Sequence, residues 1–268
     1  PSNVAVDFIH VNDVAAVAGN YKLIYLQYPL MLPEQAAAAL ADYVRGGGAL
    51  AAEARLGWNN ERGWAAETIP GMGLHRVMGC RESAVQTVPG LRTEIEWTGA
   101  ELAGLNPGDR LPGRLYEETL EPLGPQARVV ARFAGGAPAA VMSSFARGKT
   151  LMLGSYVAAA YEQQREPAVR KFFAALLDWA GVERAVEVAG GETEVRLVES
   201  GGDTLMFAFN HREQPATPAI ALRLPPGEYA ASELASGETV PLVREGARVK
   251  LQKRLGAQEV WVVRLQRR

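Results

Sequence analysis

The sequence predicts an α/β domain built on a mostly parallel sheet, followed by a small all-β antiparallel sandwich. Three observations carry this. Apolar strand-like runs alternate with helix-like stretches up to about residue 180, Gly181 stops the last helical period, and beyond Val182 short alternating segments recur between Gly/Pro turns.

Residues 4–9 read as a first apolar strand, after a start at Pro1-Ser2-Asn3 so abrupt that it reads as a cut. A turn or short helix follows from Asp13, and residues 21–27 form a near-continuous apolar strand of the kind covered on both faces. Pro33-Glu34-Gln35 opens a helix over 36–45, and Gly46-Gly47-Gly48 closes it. Residues 49–54 are a second buried strand; strand, helix, strand is the unit that builds a parallel sheet with a right-handed crossover. Residues 57–89 are irregular and rich in Gly, Trp, Asn and Arg, and a loop this long in a compact domain is functional or interfacial. Residues 93–97, 113–120, 128–133, 139–145 and 150–153 read as strands. A helix from about Glu166 to Ala180 presents Phe172, Phe173, Leu176, Leu177 and Trp179 as an apolar face. In the tail, strands are expected at 193–199, 204–210, 219–224, 228–234, 248–252 and 259–265, with turns at Gly190-Gly191, Gly201-Gly202-Asp203, Pro225-Pro226-Gly227 and Ser236-Gly237-Glu238. The expected domains are 1–182 and 183–268.

Composition narrows the function. With 48% hydrophobic and 22% charged residues, the 268-residue chain can bury two medium cores. Its net charge of −2, with Lys and Arg scattered singly, leaves no basic stripe for phosphates, so nucleic acid is not an expected partner. No stretch approaches the roughly 20 apolar residues of a membrane span, and no membrane partner is expected. Cys80 is the only cysteine, which excludes an intrachain disulfide and a thiolate-rich metal cluster and suits the cytoplasm.

No catalytic set, metal or cofactor is expected. Glu94 and Glu96 would share one face of a strand and Glu117-Glu118 would face opposite ways; solvated strand faces account for both pairs. His10, His75 and His211 stand apart from one another and from any Asp or Glu at metal spacing. Gly46-Gly47-Gly48 follows a helix and precedes a strand, the reverse of a nucleotide fingerprint. The segment that invites recognition runs from Arg55 through Trp58, Asn59, Asn60 and Glu61 to Trp64. It follows a presumed parallel strand, at the end where α/β sheets place ligands, and its residue types stack on sugars or anchor interfaces. A subunit or domain contact is the favoured reading. A sugar platform on Trp58 and Trp64, and a hydrolase working through Glu61, are the alternatives.

Tyr21-Lys22-Leu23-Ile24-Tyr25-Leu26, then Pro33-Glu34 and a helix ending Asp42-Tyr43-Val44-Arg45-Gly46-Gly47-Gly48-Ala49-Leu50, resembles the trimerisation domain of glycoside hydrolase family 42 β-galactosidases. Val6-Asp7-Phe8-Ile9, Val129 to Phe133, Gly136 to Val141 and Gly148-Lys149-Thr150-Leu151-Met152-Leu153-Gly154 resemble further segments of that domain. Ala146-Arg147-Gly148-Lys149 departs from the Gly-Lys-Gly turn common in the family, and the Trp58–Trp64 loop from its commonest form. The resemblance implies a flavodoxin-like, class I glutamine amidotransferase-like sheet and a homotrimer. It also implies an absent N-terminal (β/α)₈ barrel that would hydrolyse terminal β-galactosides with two Glu residues. In amidotransferases a nucleophilic Cys follows the strand equivalent to 49–54; here Ala54-Arg55-Leu56 stands there, which excludes that chemistry.

Overall fold

The structure is a computed structural model that describes residues 3–164, 167–190 and 192–268. It divides into two compact units, Phe8–Val182, and Glu183–Arg268 together with the chain up to Asp7.

In the first unit the elements in chain order are α1 (Val14–Val17), β1 (Leu23–Leu26), α2 (Glu34–Arg45), β2 (Ala49–Ala52), α3 (Leu74–Met78), β3 (Cys80–Trp97), β4 (Arg110–Pro122), β5 (Arg128–Phe133), β6 (Pro138–Phe145), β7 (Gly148–Leu153), α4 (Val157–Gln164) and α5 (Pro167–Ala180). One seven-stranded sheet has the order β1-β2-β7-β6-β5-β3-β4. Only β1, β2 and β7 run parallel; every later pairing is antiparallel. The expectation of a mostly parallel sheet is corrected to a mixed one, because short turns such as 146–147 between β6 and β7 make hairpins where a parallel strand needs a crossover.

Helices cover both faces of the parallel part. On one side α2 buries Ala36, Ala37, Leu40, Tyr43 and Val44, at helical spacing, against Leu50, Ala52, Val141 and Met152. On the other, Phe172 and Leu176 of α5 pack with Ala51, Trp97, Leu151 and Leu153. This sandwiching explains why all four residues of β2 are buried apolar ones. The turn after α2 is close-packed: a Cβ at Gly48 would run into the Tyr43 ring, whose hydroxyl donates to the carbonyls of Tyr21 and Ala49.

Several expectations fail locally. Residues 4–9 form no strand; they find no ladder partner, and Val6 and Phe8 are exposed. Within the 57–89 stretch expected to be irregular lie α3 and the start of β3. Only the end of β3, residues 93–97, was expected; residues 81–92 escaped notice because they pair with β4 as a largely exposed, polar ribbon, interrupted at Val88-Pro89-Gly90-Leu91 by a register shift. α4 was also unforeseen. The expected start of the last helix, Glu166, lies outside the described residues.

The second unit holds β8 (Val186–Ala189), β9 (Glu194–Ser200), β10 (Asp203–Phe209), β11 (Ala219–Arg223), β12 (Tyr229–Glu233), β13 (Val243–Glu245), β14 (Arg248–Gln252) and β15 (Val260–Arg267). They make two four-stranded antiparallel sheets, β12-β15-β10-β9 and β13-β14-β11-β8. Met206, Ala208, Trp261, Val263 and Leu265 of the first meet Val186, Ile220, Leu222 and Leu251 of the second in one core, the build of a sandwich. β8 and β13 were not expected from the sequence; Gly191, of the expected Gly190-Gly191 turn, lies outside the described residues.

Candidate functional site

The site begins where β2 ends, at the carboxyl edge of the parallel strands. Glu53 is fully buried there. Its Oε1 accepts from the Tyr25 hydroxyl at 2.8 Å and from the Ala158 backbone N–H at 2.6 Å, with the backbone N–H groups of Tyr28 and Val157 also bonding to the carboxylate. The carboxylate thus occupies the first turn of α4, where unpaired N–H groups and the helix dipole favour an anion. Burial raises its pKa and these hydrogen bonds pull it back.

Two residues on, Arg55 has a φ of +64°, unusual for a residue with a Cβ, and is buried. Its backbone N–H donates to Glu118 Oε2 at 2.5 Å, and its guanidinium is ion-paired with Glu82. Glu118 comes from β4 and Glu82 from β3, so the long ribbon supplies both carboxylates. Burial pushes the Glu118 carboxyl up to about 8, the Arg55 backbone N–H pulls it back and the neighbouring Glu82 charge raises it further. The reading of Glu117-Glu118 as a solvated face is corrected accordingly: Glu117 bonds Gln86 and Thr93 on the outside, and Glu118 is fully buried. Glu94 and Glu96 are exposed on one face and share Arg110, as expected.

Arg55 in turn backs the loop. Its guanidinium carbon lies 4.1 Å from the Trp58 ring centroid, a cation–π contact formed largely out of water. Leu56 is buried, and Gly57 donates to Pro29 while Gly71 donates to Leu56, pinching the loop shut; a Cβ on Gly71 would collide with the Gly57 carbonyl. Asn59 exchanges backbone bonds with Leu30 and Leu32. Asn60 organises the tip: its Oδ1 accepts from the N–H groups of Arg62 at 3.0 Å and Trp64 at 3.1 Å. Glu61 is engaged elsewhere, accepting from the Glu34 N–H at 3.1 Å at the start of α2; hydrogen bonding from its own backbone N–H, and then from that of Glu34, lowers its pKa. Trp64 is 65% exposed, with the Arg62 guanidinium 5.4 Å from its ring centroid.

The result is a rigid loop that presents Trp58 and Trp64 next to Tyr28 and Met31, both also exposed. Tyr28 packs against buried Tyr156 with ring centroids 4.5 Å apart and the rings tilted by 38°, and Met31 bridges Asn59. The structure brings all six expected residues together, but in different roles: Arg55, Asn59, Asn60 and Glu61 build the loop, and the two Trp are displayed. Sequence reasoning missed Glu53, Glu82, Glu118, Tyr28 and Met31. A Glu inside the apolar run 49–54 was the one available signal.

Elsewhere, Cys80 is buried at the start of β3, with burial and then the Glu118 charge raising its pKa. His211 pairs with Glu194 at 2.9 Å. Among the described residues no cluster of His, Cys, Asp and Glu is arranged to hold a metal, and no helix is long and apolar enough to cross a membrane.

Fold and site together define a mixed-sheet α/β module that carries a braced aromatic surface loop at the carboxyl edge of its parallel strands. Residues 1–183 match the model of the beta-galactosidase trimerisation domain family, and the chain belongs to that family. A comparison with curated proteins gives no match. Among solved structures the chain is similar to the beta-galactosidase from Bacillus circulans sp. alkalophilus, at 20% identity and a TM-score of 0.76, over 98% of this chain and 35% of that one. It is similar to the cold-adapted beta-galactosidase from Rahnella sp. R3, at 18% identity and 0.74, over 98% and 34%. It is also similar to an alpha-L-fucosidase from Paenibacillus thiaminolyticus, at 12% identity and 0.63, over 93% and 41%. The chain therefore spans about a third of the length of the beta-galactosidases it resembles.

Proposed function

We propose that this chain is the assembly and support region of a β-galactosidase, with residues 1–182 forming a homotrimer and 183–268 a supporting sandwich. The whole protein would hydrolyse terminal β-galactosides in a (β/α)₈ barrel lying outside this segment. The observation that carries the assembly role is the patch of Tyr28, Met31, Trp58 and Trp64. Exposed aromatics and Met held on a rigid, hydrogen-bonded base are the residue types that dominate protein interfaces. The parallel β1-β2-β7 core with helices on both faces, and the positive φ of Arg55 just beyond β2, support an amidotransferase-like ancestry in which Arg55 stands at the nucleophile's place.

Sedimentation of the 268-residue chain tests the assembly role. A monomer–trimer equilibrium is expected, and Trp64→Ala should shift it at least tenfold toward monomer. A strict monomer at high concentration, or a dimer, would refute the trimer. Galactoside binding that is lost in Trp64→Ala while the oligomer stays intact would instead establish the sugar platform.

A further inference from the structure

A two-layer sandwich needs one apolar and one polar face on each sheet, and strands that are apolar on both faces call for a third layer. β10 and β15 break the two-layer pattern. Inward, β10 buries Met206 and Ala208, and β15 buries Trp261, Val263 and Leu265. Outward, the alternate positions are Leu205, Phe207 and Phe209, and Val260 and Val262. The antiparallel registers set Val198 of β9 beside Leu205, and the Leu234 N–H, just past β12, bonds the Val262 carbonyl. The outer face thus carries an apolar band of Leu205, Phe207, Phe209, Val260 and Val262, with Val198 at 48% and Leu234 at 55% exposure on its flanks; in the ladders Arg264 lies opposite Leu205, Arg196 opposite Phe207 and Glu194 opposite Phe209.

Its charged groups are already paired with one another. Arg264 holds Asp203 at 2.6 Å, and Glu194 takes Arg196 and His211, each at 2.9 Å. An apolar band whose interleaved charges are satisfied by one another has the residue make-up of a protein interface, and a patch of this kind on a folded domain marks a contact surface.

The path of the chain indicates the occupant. Asn3 Oδ1 accepts from the Val195 N–H at 2.8 Å, its Nδ2 donates to the Thr193 carbonyl at 3.2 Å, and Arg196 donates to the Val4 carbonyl. The N-terminal end of this segment is therefore fixed to β9, an edge strand of the same sheet. Any polypeptide ahead of it emerges at the border of the apolar face, tethered there at high effective concentration. The β-galactosidases of similar fold are about three times as long as this segment.

We infer that the outer face of the β12-β15-β10-β9 sheet is the docking surface for the catalytic portion that precedes this segment in the full-length protein. The inference rests on the proposed parentage. The sandwich is then a bracket that fixes the catalytic portion to the assembly domain through Phe207, Phe209 and Val262.

Thiol-labelling rates of Val198→Cys and Val260→Cys, compared between the 268-residue chain and the full-length protein, test this. The native Cys80 is buried and gives a silent background. Both sites should label rapidly in the 268-residue chain and at least tenfold more slowly in the full-length protein. Val243→Cys, exposed on the opposite sheet, should label equally in both. Hydroxyl-radical footprinting of Phe207 and Phe209 makes the same comparison without substitutions, with at least fivefold protection expected. Equal labelling in the two proteins overturns the inference while leaving the trimer, read by sedimentation of the same samples, intact. Protection within the 268-residue chain that deepens with concentration assigns the face to a second copy and overturns it as well. A natural protein with no catalytic portion ahead of this segment overturns the parentage itself.

Discussion

Arg55→Met is the substitution that most directly tests how the aromatic loop is held. Arg55 is the buried cation between Glu82 and Glu118, and removing one member of a buried ion pair costs about 3–5 kcal/mol because the other charge is left without compensation. The low end applies at pH 7. Glu118, with its carboxyl pushed up to about 8, is mostly protonated at that pH, so only the Arg55–Glu82 pair is broken, and the Glu82 side chain keeps 16% of its exposure. Loss of the Trp58 contact adds about 0.5–1 kcal/mol, and the apolar Met returns a similar amount in packing. The net expectation is about 3 kcal/mol, read by urea denaturation with tryptophan fluorescence, since four of the five Trp lie in the α/β unit. Arg55→Met/Glu82→Gln removes the stranded charge as well and should cost about 1–2 kcal/mol less than the single substitution. Arg55→Gly should be milder than Arg55→Ala by about 1 kcal/mol, because glycine accepts the +64° φ without strain. A cost below about 1 kcal/mol for Arg55→Met, or a double variant no more stable than the single, would refute the electrostatic account of the loop.

Two further outcomes follow from the buried acids and the thiol. The folded pKa of Glu118 lies above its ordinary value of 4.5, so the native state keeps a proton that the unfolded chain has released; this contribution is full below pH 4.5 and is lost as pH rises through about 8. Stability should therefore decline between those limits, by at most about 1.4 kcal/mol per pH unit, and Glu118→Gln should flatten that decline; an unchanged pH profile in this variant would place the proton elsewhere. Cys80 should resist thiol reagents in the native protein and label only at the global unfolding rate, since burial and the nearby Glu118 both oppose the thiolate; labelling within seconds without denaturant would contradict that.

Much of the fold was legible where the local chemistry was unambiguous. Pro33 and Gly46 bracket α2, the apolar run at 49–54 marks the middle strand of the parallel part of the sheet, and β5 and β14 fall on the expected residues 128–133 and 248–252. What stayed hidden depends on partners distant in sequence. Residues 81–92 look like loop because a largely exposed ribbon carries no apolar alternation, and its Pro89-Gly90 pair looks like a break although the ladder resumes at Arg92. Glu117 and Glu118 look alike in sequence; only the pairing of β3 with β4, and of the Glu118 N–H with the Gly154 carbonyl, turns one outward and the other into the core. The loop could be located from its composition, whereas the division between its framework residues and its displayed ones could not.

The carboxyl edge of parallel strands is where α/β sheets ordinarily leave ligand-binding groups free, because strand ends and helix N-termini converge there with unpaired N–H groups. In this chain those groups are taken by its own side chains. Glu53 takes up the first turn of α4, and Glu118 takes up the backbone N–H of Arg55 at the strained turn. Strain at a non-glycine residue costs on the order of 1–3 kcal/mol and persists only where surrounding contacts overdetermine it. Here the Glu82 ion pair, the Glu118 hydrogen bond and the Trp58 ring supply those contacts. With the strand-end and helix N–H groups taken by Glu53 and Glu118, what the loop displays at the surface is aromatic and apolar, Trp58 and Trp64 beside Tyr28 and Met31. The same geometry that elsewhere presents a reactive side chain to a small molecule here displays Trp58 and Trp64 on a hydrogen-bonded base, the arrangement on which the proposed assembly role rests.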